Sequence, residues 1–104
     1  MIANTPSPPY YAVIFTTERS YEGSDYHEMA DRMIELASEQ PGFRGVETTE
    51  GITISYWKDK GSIAKWKAHP EHTLARNLGR EKWYDAYKTR IVYVESDYQF
   101  KRES

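Results

Sequence analysis

Apolar residues follow a helical spacing in one long segment of the chain. Between residues 24 and 39 they recur every three or four positions, and acidic or basic residues occupy the opposite face. This spacing predicts an amphipathic helix of about 15 residues that ends before Pro41. Ser24 or Asp25 is placed to cap its first turn.

Four other segments have the composition and alternation of strands. Tyr10 to Thr17 is β-branched or aromatic on both faces, which predicts that both of its faces are covered. Phe43 to Thr49 and Ile52 to Trp57 flank Glu50-Gly51, a pattern typical of a hairpin. Thr89 to Phe100 alternates and predicts a long last strand.

Between the hairpin and the last strand the spacing is again helical, but a proline interrupts it. Asp59 or Ser62 is placed to cap a first helix. Pro70 suits the first turn of a second helix, which we predict from about Pro70 to Leu78. Gly79 is then predicted to end that helix in the left-handed conformation. The apolar face of the second helix consists of Leu74, Ala75 and Leu78.

The predicted order of elements is β-α-β-β-α-β, with the second helical element split. This order is typical of a ferredoxin-like α+β fold, a four-stranded antiparallel sheet with helices on one face. The other face is also apolar in the first strand, so we expect a second copy of the chain to cover it. Residues 1–9 are predicted to form an extended arm, residues 10–100 a single domain, and residues 101–104 a polar tail.

The composition excludes several kinds of chemistry but does not identify one. The 104 residues include nine Tyr and are 38% hydrophobic and 14% aromatic, with a mean hydropathy of -0.84, so the core is expected to be built largely from aromatic rings. There is no cysteine, which excludes disulfides, thiolate catalysis and zinc–thiolate sites.

The charge and the apolar runs bear on partners and location. The net charge of -2 provides no basic field for nucleic acid. No apolar run approaches the roughly 18 residues of a membrane helix, and residues 1–9 lack the regions of a signal peptide. We therefore expect a cytoplasmic protein without nucleic-acid or membrane partners.

Two histidines at a predicted helix start are the candidates for catalysis. His69 and His72 flank Pro70, and either could serve as a general acid or base near neutral pH or as an axial ligand of iron. In the alternative interpretation His69 is a cap or turn residue and His72 hydrogen-bonds across the subunit. No His-Glu-x-x-His spacing is present, so no metal site is predicted.

Aromatic residues are the candidates for binding a substrate. Trp57 and Trp66 could stack on a flat aromatic ligand, or fill the space between helix and sheet. A second set could line the mouth of a pocket, hold the last strand against the second helix, or contact the other subunit: Trp83, Tyr84 and Tyr87.

Arg80 lies beside this second aromatic set. Its guanidinium could anchor a substrate carboxylate or a haem propionate. The alternative is a salt bridge with Glu81, Asp85 or a neighbouring chain.

Several short motifs together resemble one known family. They are Pro41-Gly42-Phe43, Gly45-Val46-Glu47, Ile54-Ser55-Tyr56-Trp57, Trp66, His69, His72, Gly79-Arg80, Trp83-Tyr84 and Tyr87. Over about residues 10 to 95 the chain resembles the antibiotic biosynthesis monooxygenase (ABM) domain family of the dimeric α+β barrels, and within it a small bacterial subgroup of uncharacterised proteins. The resemblance implies a homodimer with a pocket in each subunit between sheet and helices.

The resemblance implies an activity less directly. Some members of the family are cofactor-independent monooxygenases of aromatic compounds, and others bind or degrade haem. The haem-degrading pattern has a tryptophan that Trp66 matches and a histidine that His72, or less well His69, matches, but residues 11–17 lack its asparagine. We expect an oxidoreductase that uses no cofactor and acts on a small aromatic ligand. The alternatives are a haem protein and a non-catalytic dimeric module that binds small molecules.

Overall fold

The computed structural model describes residues 1–21 and 23–103. The polar tail predicted for residues 101–104 is therefore described as far as Glu103, and Ser104 lies outside the described residues. The elements are β1 (Tyr10–Glu18), α1 (Ser24–Ser38), β2 (Phe43–Thr49), β3 (Ile52–Trp57), α2 (Lys60–Ala68), α3 (Pro70–Leu78), a π-helical turn (Gly79–Trp83) and β4 (Ala86–Val94).

The strands form one antiparallel four-stranded sheet in the order β2-β3-β1-β4. This confirms the ferredoxin-like α+β fold. Tyr11 lies opposite both Trp57 of β3 and Tyr93 of β4, on the side of the sheet that the helices cover. Ile14 and its partner Ile54 point to the other side, which we call the open side.

Aromatic rings form much of the core between sheet and helices, as the composition predicts. Trp57 is completely buried, and Trp66 of α2 packs with it. The rest of this cluster comes from α1 and α2: Leu36, Ala37 and Ile63. Side chains packed against it are Tyr11, Val13, Met33 and Phe43.

The start of α1 differs from the prediction. Neither Ser24 nor Asp25 caps the helix, since the capping position is Gly23 and no side chain bonds to the first turn. Asp25 instead accepts hydrogen bonds from side chains outside the helix. The prediction for α2 is confirmed, because the Asp59 carboxylate accepts the Ser62 N–H at 2.8 Å.

The end of α3 also differs. Gly79 has φ -59°, a right-handed conformation, so its prediction as a left-handed terminator is wrong. The chain continues directly into the π-helical turn, and a Cβ on Gly79 would lie 2.5 Å from the Tyr84 ring. A close approach of an aromatic ring, and not a positive φ, therefore explains this glycine. Leu74, predicted on the apolar face, is 57% exposed, whereas Ala75 is buried.

The last strand begins earlier and ends earlier than predicted. It runs from Ala86 to Val94 instead of Thr89 to Phe100, so Tyr87 belongs to it. Its length matches that of β1, because every residue of β1 from Tyr10 to Glu18 pairs with a residue of β4. Residues 95–103 contain no helix or strand.

The arm and the tail both lie over the open side of the sheet. Ala3 N–H donates to a Glu47 carboxylate oxygen at 2.9 Å, and the Tyr56 hydroxyl donates to the other at 2.5 Å. Tyr10 lies on the neighbouring strand β1, and its hydroxyl donates to the Asp97 carboxylate of the tail at 2.5 Å. No helix among the described residues is both long and apolar enough to span a membrane.

Candidate functional site

Three rings form a continuous column beneath the split in the second helical element. The Trp57 and Trp66 rings are 6.3 Å apart at an angle of 23°, and the His72 imidazole lies 4.3 Å from Trp66 at 9°. Trp66 is in the last turn of α2 and His72 in the first turn of α3. The helical conformation is interrupted at His69, between α2 and α3, and the two rings are in contact across this break.

The hydrogen bond of His72 fixes its tautomer. Nδ1 lies 3.0 Å from the Trp66 carbonyl oxygen. Because a carbonyl oxygen only accepts, Nδ1 carries the proton and Nε2 keeps a lone pair. Within the described residues no side chain or backbone group hydrogen-bonds to Nε2. The imidazole therefore offers one basic nitrogen.

Burial keeps this imidazole neutral. Desolvation lowers the pKa of His72 below its ordinary value, and the hydrogen bond to the Trp66 carbonyl opposes this only in part. The positive charge of Arg76 adds to the lowering. His72 is therefore in its basic form at neutral pH, as a general base requires.

His69 has a different environment. Its Nδ1 accepts the N–H of Glu71 at 3.2 Å, and it occupies the capping position of α3. This is the structural role that the sequence left open for it. Its ring lies 5.7 Å from that of Trp66, on the edge of the column.

An apolar surface extends from the column along the sheet. Tyr11, Val13, Ile91 and Tyr93 share the helix-covered side, and we call this group the apolar shelf. Tyr11 and Val13 pack against the buried cluster, but Ile91 and Tyr93 are 55% and 56% exposed. The main contacts of the helices with the sheet are those of α1 with β2 and of α2 with β3, so β4 lies largely outside the helix layer. The sequence indicates the alternation of Ile91 and Tyr93 but not how far the helix layer extends.

The second aromatic set lies at the other end of the sheet. Tyr84 packs edge-on against Phe15 at 5.6 Å, and Tyr87 lies 5.4 Å from the same ring. Phe15 is four residues from Tyr11 along β1, about 13 Å at the rise of a strand. Trp83 meets Tyr26 of α1 at 5.6 Å. The structure thus separates these residues from His72.

Arg80 belongs to this second set. Its Nε donates to the Tyr87 hydroxyl at 2.7 Å. Among the described residues it forms no salt bridge with Glu81 or Asp85, so that part of the alternative is wrong. A salt bridge with a neighbouring chain stays a prediction. The tyrosine hydroxyl takes the place of the expected carboxylate.

Two cavities of similar size lie outside the column. One of about 390 Å³ lies between α1 and the π-helical turn, and Trp83 alone of the predicted site residues lines it. Its lining is Asp25, Glu28, Met29, Arg32, Leu78, Lys82 and Trp83. The other, of about 380 Å³, lies on the open side beneath the arm and the tail.

The sequence missed one charged residue near the column. It is Arg76 of α3, whose Nε is buried without a hydrogen-bond partner among the described residues. Its position one turn after His72 could have suggested a shared helix face. Among the same residues no group of three or more histidine, aspartate or glutamate side chains is arranged to hold a metal ion.

The sequence comparison identifies a relative along the whole chain. No protein-family model matches. The uncharacterized protein YqjZ of Bacillus subtilis is 42% identical over 108 residues, which cover 99% of this chain and 95% of YqjZ. The chain belongs to the YqjZ family. Members this similar share a fold, so the same architecture extends to YqjZ.

Solved structures place the YqjZ fold among the ABM-like ferredoxin-fold proteins. Rv0793 from Mycobacterium tuberculosis matches with a TM-score of 0.71 and 12% identity, covering 88% of this chain and all of that chain. An antibiotic biosynthesis monooxygenase matches at 0.64 and 14% identity, covering 84% and 98%. A dimeric ferredoxin-like protein of unknown function from Thermobifida fusca matches at 0.67 and 9% identity, covering 90% and 100%. The resemblance to the ABM fold is confirmed.

Proposed function

We propose that the protein is a homodimer joined through the open sides of its two sheets. Ile14 and Ile54 lie there half-buried, and Ile52 is 37% exposed. The neighbours described as dimeric support this arrangement. Sedimentation equilibrium tests it, with Ile52→Asp expected to give monomers and Ile91→Asp, on the helix-covered side, to remain dimeric. A monomeric wild-type protein at every concentration would contradict it.

We further propose that each subunit is a cofactor-independent monooxygenase of a small aromatic compound. The observation that carries this proposal is the hydrogen bond from His72 Nδ1 to the Trp66 carbonyl, which leaves Nε2 as a free base beside aromatic rings. The half-exposed apolar shelf, which meets the column where Tyr11 pairs with Trp57, provides a further surface on which a flat ring could lie. The ABM-like neighbours are consistent with this chemistry.

The proposed reaction needs a substrate that itself supplies the electrons. His72 Nε2 takes an acidic proton from the aromatic compound, and the resulting anion is rich enough in electrons to reduce oxygen. One oxygen atom enters the substrate as a carbonyl, and the other leaves as water with the two hydrogens of the oxidised carbon. Conversion of an anthrone to an anthraquinone balances in this way. The protein contributes the base and an apolar aromatic surface beside it.

Oxygen consumption with anthrone-like and quinol substrates tests the activity. We expect His72→Ala to lower kcat by about 10²- to 10⁴-fold, the usual contribution of a general base. His27→Ala is the control, because His27 is exposed in the first turn of α1 and is not part of the column. No oxygen consumption by the wild-type protein with any of these substrates would exclude the proposal.

Haem binding is the second candidate, because a neutral imidazole with a free Nε2 is also the form that ligates haem iron. Titration with haemin is the test. A Soret band shifted from that of free haemin, present in His27→Ala and absent in His72→Ala, would support it. If neither turnover nor a haem complex is found, the dimer is best explained as a module that binds small molecules.

A further inference from the structure

The tail beyond β4 presents two large aromatic side chains to solvent. Tyr98 is 99% exposed and Phe100 is 74% exposed. Residues 95–103 contain no helix or strand that would account for their position. Rings of this size usually contribute to a core or an interface, so their exposure in one subunit indicates that something else covers them.

The tail is attached to the open side of the sheet at its base. The Asp97 carboxylate accepts the hydrogen bond of Tyr10, which is buried on that side. Tyr98 and Phe100 line the rim of the cavity of about 380 Å³, together with Glu47 and Tyr56 of the sheet. The exposed rings therefore border the surface that the proposed homodimer buries.

Charge is distributed unequally between this cavity and the tail. The cavity is lined by two carboxylates, Glu47 and Asp97, and by no lysine, arginine or histidine. The residues directly after the aromatic pair are basic, Lys101 and Arg102. Residues 95–103 also contain Glu95, Asp97 and Glu103, so only the Lys101-Arg102 pair is of opposite charge to the cavity. A second copy of the chain presents both surfaces at once, so this basic pair can meet the Glu47 carboxylate of the other copy when two copies pair.

We propose that the tail, residues 95–103, crosses to the second copy of the chain and packs Tyr98 and Phe100 against it. This inference rests on the homodimer proposed above. From its anchor at Asp97, the three residues up to Phe100 can span about 10 Å when extended. Two sheets that pack face to face, as proposed for the homodimer, lie about 10 Å apart. The tail is thus long enough to reach the partner, and two-fold symmetry makes the exchange reciprocal.

The dimer dissociation constant of a tail variant tests the proposal. We expect the double variant Tyr98→Ser with Phe100→Ser to raise it by about 10- to 100-fold, as for aromatic residues at the centre of an interface. Leu74→Ser is the control, because Leu74 is 57% exposed on α3 and lies away from the open side. At a dilution where the wild type is monomeric, the double variant should have the same free energy of unfolding as the wild type.

A second experiment uses the absence of cysteine from the chain. Cysteine introduced as Tyr98→Cys should react with a thiol reagent quickly in dilute monomer and at least about tenfold more slowly in the dimer. Leu74→Cys should react at the same rate in both. Suppose that the wild type dimerises, that the double variant has the same dissociation constant, and that the thiol at position 98 reacts equally fast in monomer and dimer. This result would overturn the tail proposal alone. A wild type that never dimerises would overturn the homodimer as well.

Discussion

The imidazole of His72 lies parallel to the indole of Trp66, with ring centroids 4.3 Å apart and an interplanar angle of 9°. The same two residues are joined by the hydrogen bond from Nδ1 to the Trp66 carbonyl. Stacking and hydrogen bond together fix the position and the tautomer of the imidazole. A change at Trp66 should therefore alter the chemistry of His72 without touching it directly.

His72 should make the stability of the protein depend on pH. Its pKa is lowered in the folded state, so the unfolded chain binds the proton more tightly. The stability from the neutral imidazole is complete above the unfolded value of about 6.5 and is lost as the pH falls toward the folded pKa. Urea unfolding from pH 8 to pH 5 should show this loss in the wild type and in His27→Gln.

His72→Gln should lack that dependence. Nuclear magnetic resonance titration of the His72 ring gives an independent check, since its midpoint should lie below about 6.5. A midpoint at or above that value would contradict the effect of burial.

Trp57→Ala should destabilise the protein more than any other single alanine substitution in the core. Trp57 is completely buried, and its Nε1–H donates to the Ser55 hydroxyl at 2.8 Å. Removal of a buried tryptophan costs about 3–5 kcal/mol. Leu74→Ala, at an exposed position, should change stability by less than about 0.5 kcal/mol. Denaturant unfolding of both variants measures the difference, and similar losses would contradict the assignment of the core.

Gly79→Ala should destabilise the π-helical turn. The new Cβ would lie 2.5 Å from Cε2 of Tyr84, so that ring must move, at a cost of about 1–3 kcal/mol for overpacking. Gly61→Ala is a matched control in α2, since its Cβ would meet Asp59 at an ordinary 3.5 Å. The control should show no loss in thermal unfolding. A loss of equal size in both would mean that the Tyr84 contact is not the cause.

Asp25 should stabilise the protein only while it is charged. Lys82 and the Tyr21 hydroxyl both donate to its carboxylate, and they hold its pKa well below the usual range. Its contribution is present above the unfolded value of about 3.9 and is lost as the pH falls further, through the folded pKa. At pH 7 the wild type should therefore unfold at a higher urea concentration than Asp25→Asn. This difference between the two urea midpoints should become smaller below about pH 4. Glu28→Gln, an exposed neighbour on α1, should show no such gap at pH 7.

Periodicity is enough to predict the order of elements and most of their bounds, because each strand and helix shows its own alternation. Periodicity fails where a residue far along the chain determines the bound or the cap of an element. β4 starts at Ala86 because β1 continues to Glu18 and supplies a partner for it. Asp25 does not cap α1 because Lys82 and Trp83, far along the chain, bind its carboxylate instead.

The candidate site, too, could be predicted from the sequence only in part. His72 and Trp66 are recognisable from residue type, but their stacking depends on the turn at Pro70 and could not be derived from spacing. The apolar shelf depends on how far the helices extend across the sheet, which only the packed structure determines. Tyr84 and Tyr87 resemble the column residues in type, yet Phe15 holds them at the other end of β1.

The central position of β1 has a consequence for how the protein is synthesised. β1 is the first strand to leave the ribosome, but one of its two neighbours, β4, is the last. Until residue 94 has emerged, an apolar strand keeps one row of backbone groups without a partner. The nascent chain therefore cannot complete its sheet until β4 has emerged, and the interval before that is when it is most prone to aggregate.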